Sequence, residues 1–177
     1  MFQLIYGGSG SGKSEYAESL VVREKEGKRY YVATMQVYDE ESRKRVERHR
    51  AMRAGKKFDT IECEKEIARV CSSGITRKDT VLIECLSNLV ANEMFSSDGD
   101  TFPDAELLAE QIFQGLCKIR EACGNLIIVS NDIFSDGEQY DESVEQYIRA
   151  LGILHQLISK EADSVIEVVY GIPIPIK

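Results

Sequence analysis

Phe2-Gln3-Leu4-Ile5-Tyr6-Gly7-Gly8-Ser9-Gly10-Ser11-Gly12-Lys13-Ser14 runs from an apolar segment directly into a chain of glycines closed by Lys-Ser. Residues Gly7 to Ser14 satisfy the pattern G-x-x-x-x-G-K-S. The segment before them has strand character, and the stretch after them, Lys13–Glu26, places Tyr16, Ala17, Leu20 and Val21 on one helical face. Each part has a physical purpose. Glycines let the backbone turn tightly and bring its N–H groups against phosphate oxygens. The helix N-terminus adds partial positive charge facing an anion. Lys13 is placed to reach β- and γ-phosphates and Ser14 to hold Mg2+. Gly7, Gly8, Ser9, Gly10, Ser11, Gly12, Lys13 and Ser14 are therefore the predicted binding loop for a nucleoside triphosphate.

Outward from this loop, short apolar runs alternate with amphipathic stretches. Candidate strands are Phe2–Tyr6, Arg29–Thr34, Thr80–Cys85, Asn125–Ser130 and Ser164–Tyr170. Most are continuous in Val, Ile, Leu and Tyr, as expected of strands covered on both faces. Candidate helices are Lys13–Glu26, Glu40–Ala54, Glu64–Ser72, Ser87–Phe95, Asp104–Ala122 and Glu142–Glu161. The alternation predicts an α/β fold with a mostly parallel sheet and right-handed crossovers. Ser96–Pro103 and Asn131–Asp141, dense in Asp, Gly and Ser, read as loops too short to separate domains. A chain of 177 residues fits one domain with one substantial core.

Composition excludes several classes. No apolar run approaches the roughly 20 residues of a membrane span, and the start of the chain lacks the charged region of a signal peptide. The five cysteines are odd in number and form no C-x-x-C pair, which predicts small apolar core residues in a cytoplasmic protein rather than disulfides or zinc. Net charge is −8, which disfavours a nucleic-acid partner. Eight of the 22 basic residues nevertheless crowd into Arg43–Lys57, a sign of a local anionic ligand.

Two further positions carry chemistry. A P-loop enzyme needs an acidic residue near the metal, commonly at the end of a neighbouring strand, and Thr80-Val81-Leu82-Ile83-Glu84-Cys85 supplies Glu84. In the basic segment, Arg45, His49 and Arg53 lie four apart and share a helical ridge. Neighbouring cations favour the neutral, nucleophilic imidazole, and arginines can neutralise phosphate charge. Spacing alone favours a solvated basic helix with an incidental histidine. His155, between Leu154 and Gln156, reads as a structural residue.

Together the motifs resemble the bifunctional adenosylcobinamide kinase/adenosylcobinamide-phosphate guanylyltransferases of cobalamin synthesis. The resemblance runs over nearly the whole chain. It rests on Gly7–Ser14, Tyr31-Val32-Ala33-Thr34, Arg45-Val46-Glu47-Arg48-His49-Arg50 with Arg53, Thr60-Ile61-Glu62, Leu82-Ile83-Glu84-Cys85, Leu89-Val90-Ala91-Asn92, Ala162-Asp163-Ser164-Val165 and Gly171-Ile172-Pro173. It implies a single RecA-like P-loop domain over residues 1–177 that assembles as a homo-oligomer, a trimer. It implies that His49 is the guanylylated histidine, and that Thr34, Gln36, Arg53, Glu62 and Glu84 join the loop in contacting guanine nucleotide. Ser14 and Glu84 would manage Mg2+. The substrates implied are GTP and ATP together with a corrinoid. The chain departs from the family pattern N-E-V-G-x-G-I-V-P, reading Asn131-Asp132-Ile133-Phe134-Ser135-Asp136-Gly137-Glu138-Gln139. Two other readings share the P-loop: a divergent kinase or nucleotidyltransferase with another acceptor, and a nucleotide-binding regulator.

Overall fold

The computed structural model describes residues 1–37, 40–96, 102–134 and 140–177; side chains at 41, 42, 45, 48–50 and 52 are not among those described. The expected loops Ser96–Pro103 and Asn131–Asp141 therefore lie partly outside the described residues.

Strand β1 (Phe2–Gly7) leads through the glycine loop into helix α1 (Lys13–Arg23). There follow β2 (Arg29–Ala33), α2 (Glu40–Arg53), β3 (Phe58–Glu62), a 3-10 helix (Ile67–Ser73), β4 (Thr80–Glu84), α3 (Leu86–Met94) and α4 (Ala105–Ala122). β5 (Asn125–Asn131), α5 (Glu142–Glu161), β6 (Ser164–Val169) and β7 (Ile172–Pro175) complete the described elements. They form one seven-stranded sheet in the order β3-β2-β4-β5-β1-β6-β7, parallel except for β7. The predicted α/β architecture is the one observed.

The apolar runs in β1, β4 and β5 are continuous because both faces of the sheet are covered. On one face α1 lays Ala17 and Val21 over Ile5, Leu82, Ile127 and Val129. On the other, α3, α4 and α5 bury Leu4, Val81, Ile83 and Ile128 under Leu89, Leu116 and Leu151. α4 and α5 begin with Asp104 and Asp141, whose carboxylates accept from the N–H of Leu107 and Val144 and so satisfy otherwise unpaired donors.

Three elements differ from the sequence reading. β3 is an additional strand; Phe-Asp-Thr-Ile-Glu is half polar because it lies at the sheet edge and pairs only with β2. β7 is another; its Ile-Pro-Ile-Pro pattern argues against a central strand, and it sits at the opposite edge, antiparallel to β6. The stretch expected as helix Glu64–Ser72 is a 3-10 helix entered through Glu66 at φ 51 and ended by Gly74 at φ 75. Cys63, Cys85 and Cys123 are buried, as small apolar residues are.

Candidate active site

All the strands flanking the glycine loop point their carboxyl ends to one edge of the sheet, and Gly7–Ser14, Arg53 and Glu84 meet there. The loop owes its shape to two close approaches. A Cβ on Gly7 would stand 2.4 Å from the Val168 carbonyl oxygen. Gly12 adopts φ 91 at the N-cap of α1, and a Cβ there would stand 3.2 Å from the Gly171 Cα. Gly171 N donates to Ser11 O at 2.7 Å, so the β6–β7 turn braces the loop.

Lys13 is buried at 7% exposure, and its ammonium donates back to Gly8 O at 2.9 Å. Burial lowers its pKa, an effect the nearby Glu84 opposes. Ser14 Oγ donates to Glu84 Oε1 at 2.6 Å, joining the first turn of α1 to the end of β4. Burial pushes the Glu84 carboxyl up to about 7, against the pull of the Ser14 hydrogen bond and Lys13.

Among the described residues four side-chain atoms are buried with no hydrogen-bond partner; three of them, Ser11 Oγ, Glu84 Oε2 and Arg53 Nη1, belong to this edge, and the fourth, Gln3 Oε1, lies near the start of β1. A buried polar atom without a partner costs about 1–3 kcal/mol, so a cluster of three is the signature of a site shaped for a polar ligand. The same observation tests Mg2+. A hydroxyl 2.6 Å from a carboxylate with its second oxygen unpaired is an all-oxygen donor set, the type a hard divalent cation takes. Ser14 and Glu84 fit the ion.

Arg53, at the C-terminal end of α2, is buried at 7% exposure with its guanidinium 3.5 Å from the centroid of the Tyr31 ring. Lys56 follows it and pairs at 2.5 Å with Glu18 of α1, itself 2% exposed. These two contacts pin the end of α2 to the body. Val46 and Arg53 line a cavity of about 60 Å³ together with Tyr31, Glu84 and Asn88. His49, the expected nucleophile, falls within α2 between Val46 and Arg53, and its side chain lies outside those described.

Thr34 occupies a different position from the loop residues. It is fully buried, its hydroxyl donates to Cys85 O and accepts from Cys85 N, each at 2.8 Å, and its carbonyl accepts from Asn92 Nδ2 at 2.7 Å. Its side chain is thereby committed to joining β2 to the end of β4. Gln36 and Glu62 border a separate cleft of about 510 Å³ with Ile61, Lys65 and Arg69, at the β3 end of the same edge. The structure thus brings Gly7–Ser14, Arg53 and Glu84 together and sets Gln36 and Glu62 to one side.

The sequence reading gave no role to Glu18 or Ser87, counted Lys56 only within the basic stretch, and placed Tyr147 only on the apolar face of the last helix. Ser87 Oγ accepts from Asn131 Nδ2 at 2.9 Å, and its carbonyl accepts from the Tyr147 hydroxyl at 3.3 Å. Each of the four matters through a contact distant in sequence, which spacing does not reveal. His155 packs its ring against Tyr6 and Phe134 with Nε2 2.7 Å from Ser130 Oγ, and burial lowers its pKa to about 4.

A glycine loop at the first strand-to-helix turn of a parallel sheet, with a strand-end carboxylate on its serine, defines a P-loop nucleotide-dependent protein. Two solved structures share the fold, each with a TM-score of 0.51 at 14% identity. One is an ATPase domain, matched over 94% of this chain and 68% of that one. The other is the P4 protein of a bacteriophage, matched over 98% of this chain and 52% of that one. Residues 3–176 match the cobinamide kinase / cobinamide phosphate guanyltransferase family, and the chain belongs to it. Similar curated proteins are the bifunctional adenosylcobalamin biosynthesis proteins CobP of Pseudomonas aeruginosa and CobU of Escherichia coli. CobP is 32% identical over 178 residues, covering all of this chain and 98% of CobP. CobU is 29% identical over 185 residues, covering both chains completely.

Proposed function

We propose that this chain is a bifunctional transferase of cobalamin biosynthesis that phosphorylates adenosylcobinamide and then guanylylates the product. Family membership over residues 3–176 supports the pair of reactions. The observation that carries the site is the convergence of Lys13, Ser14, Glu84 and Arg53 at the strand ends, where three buried polar atoms await a partner.

In the first reaction the acceptor hydroxyl oxygen bonds to the γ-phosphorus of ATP or GTP as the bond to the bridging oxygen breaks. Backbone N–H groups of Gly8–Lys13 and the Lys13 ammonium hold the phosphates and balance charge as it shifts towards the leaving diphosphate. Mg2+, held by Ser14 and Glu84, would supply further neutralisation of the β- and γ-phosphate oxygens. In the second reaction His49 attacks the α-phosphorus of GTP and pyrophosphate departs. The corrinoid phosphate then takes GMP from the imidazole. Arg53 stabilises charge on the phosphates, while Gln36 and Glu62 contribute to holding the guanine nucleotide. Thr34 serves this site by fixing Cys85, next to Glu84. The chain acts as one domain over residues 1–177 in a cytoplasmic homo-oligomer, a trimer, in which α2 faces a neighbouring subunit. Among the described residues no helix is long and apolar enough to cross a membrane.

A second reading has one motivating observation: the sequence after Asn131-Asp132 departs from the family pattern, so the acceptor could differ. Incubation with adenosylcobinamide and γ-labelled ATP or GTP tests the first reaction, and α-labelled GTP tests the second. Both labels should appear in the corrinoid product. A protein that binds GTP and labels no corrinoid with either would refute the proposal.

A further inference from the structure

In an open parallel sheet, ligands bind outside the strand carboxyl ends, where adjacent strands send their chains to opposite faces. In this sheet that point lies between the neighbours β1 and β5. The chain leaves β1 through α1, which covers one face, and leaves β5 through α5, which covers the other. Gly7 and Asn131 are the paired last residues of those two strands. The N–H of Asp132 donates to Gly7 O at 3.0 Å, so the end of β5 is tied directly to the first residue of the phosphate loop.

The Asn131 side chain is held through Ser87, which is itself fixed by two further contacts. Its Nδ2 donates to Ser87 Oγ at 2.9 Å. Ser87 is 3% exposed and stands just inside α3; its hydroxyl lies 3.1 Å from Cys85 Sγ. The Tyr147 hydroxyl of α5 donates to the Ser87 carbonyl at 3.3 Å. The support is buried, yet Asn131 itself keeps partial solvent access. An amide nitrogen carries two hydrogens, and among the described residues only Ser87 meets the amide and uses one, which leaves a second donor and the amide oxygen to face a ligand. Packing alone has no need for an oriented amide at the mouth of a phosphate cleft. A group-transfer step does, because donors fixed in advance cost no reorganisation as charge moves.

Resting on the kinase reaction of the preceding section, the geometry points to Asn131 as a catalytic residue of phosphoryl transfer, with Ser87 as its positioning residue. The Asn131 amide donates to an oxygen of the transferred phosphoryl group and orients the acceptor hydroxyl. The hydroxyl oxygen forms the new bond to the γ-phosphorus, the bridging oxygen leaves with its electron pair on the nucleoside diphosphate, and the hydroxyl proton passes to solvent. The guanylyl step does not use this amide, since its chemistry takes place at the α-phosphorus and His49.

Wild type, Asn131→Ala and Ser87→Ala are compared in two assays, γ-phosphoryl transfer to adenosylcobinamide and formation of the protein–GMP adduct from α-labelled GTP without corrinoid. Asn131→Ala should lower kcat for phosphoryl transfer about 100-fold, the loss typical of one oriented donor. Its KM for nucleotide and its adduct yield should stay within about threefold of wild type. Ser87→Ala keeps the amide but frees it, and should lower the same kcat about tenfold with the adduct again spared. It carries the test if thermal melting shows that Asn131→Ala does not fold. Retained phosphoryl transfer in the folded variants, or an equal fall in both reactions, overturns the inference. A wild type that never phosphorylates adenosylcobinamide overturns the functional reading and this inference with it.

Discussion

The phosphate loop and the C-terminal end of helix α2 meet at the same edge of the sheet, and the proposed chemistry asks different things of them. The loop is fixed on every side. Val168 and Gly171 press against its glycines, Ser11 O accepts from the β6–β7 turn, and Ser14 reaches Glu84 on β4. Among the described residues, α2 is attached at its C-terminal end, where Arg53 lies on Tyr31 and Lys56 meets Glu18. Binding of a triphosphate needs many donors in one arrangement, which a rigid loop provides. The proposed nucleophile on α2 has only to reach phosphorus, form a bond to it and give that bond up.

The largest expected effect breaks the rigid half. Lys13→Ala should lower both transfers by about a thousandfold, because a single charge serves both leaving groups; steady-state rates with ATP and GTP measure it. A variant that lost only one reaction would mean that the two do not share the loop. Next comes Glu84→Gln, expected to lower metal-supported phosphoryl transfer about 100-fold. It should also remove a pH effect. The Glu84 carboxyl is raised from 4.5 to about 7 by burial, so its contribution to stability is present below pH 4.5 and is lost as pH rises through about 7. Urea unfolding of the ligand-free protein should show that decline in wild type and not in Glu84→Gln.

Helix attachment is tested by Lys56→Met. This change leaves the nearly buried Glu18 carboxylate without its cation, and should cost about 2 kcal/mol, less than for a fully enclosed pair because Lys56 is partly exposed. Thermal melting should fall by about 4–8 °C, with the protein–GMP adduct reduced more than nucleotide binding. Equal reductions in both would deny α2 its separate role.

The smallest effect concerns His155. Burial depresses its pKa from 6.5 to about 4, so its contribution to stability is present above pH 6.5 and is lost as pH falls through about 4. The sign is opposite to that of Glu84. Replacement by Gln should flatten the acid limb of the stability profile and leave both transfers unchanged; activity loss at neutral pH would make His155 more than structural.

The sequence made the rigid half legible because its requirements are local. Glycines at set intervals, a Lys-Ser pair and an apolar strand ending in Glu84 are all visible within short windows. The central strands were legible for the same reason, being continuous apolar runs buried on both faces. What escaped depends on partners far along the chain. β3 and β7 are edge strands, one half polar and one proline-rich, and become strands only through β2 and β6. Thr34 reads as one of several residues near nucleotide, but its hydroxyl is occupied by Cys85, 51 residues away. Ser87 meets Asn131 across 44 residues. The proposal of His49 rests on the family pattern, since a basic helix with one histidine has many uses.

The covalent step through His49 is the centre of the account. After incubation with GTP and proteolysis, mass spectrometry should find one peptide carrying an added GMP, with fragment ions placing it on His49. The adduct should be labile to acid, stable to alkali, and lost in His49→Ala while that variant still binds GTP. GMP attached to another residue, or a GTP-bound protein that forms no adduct, would contradict the account.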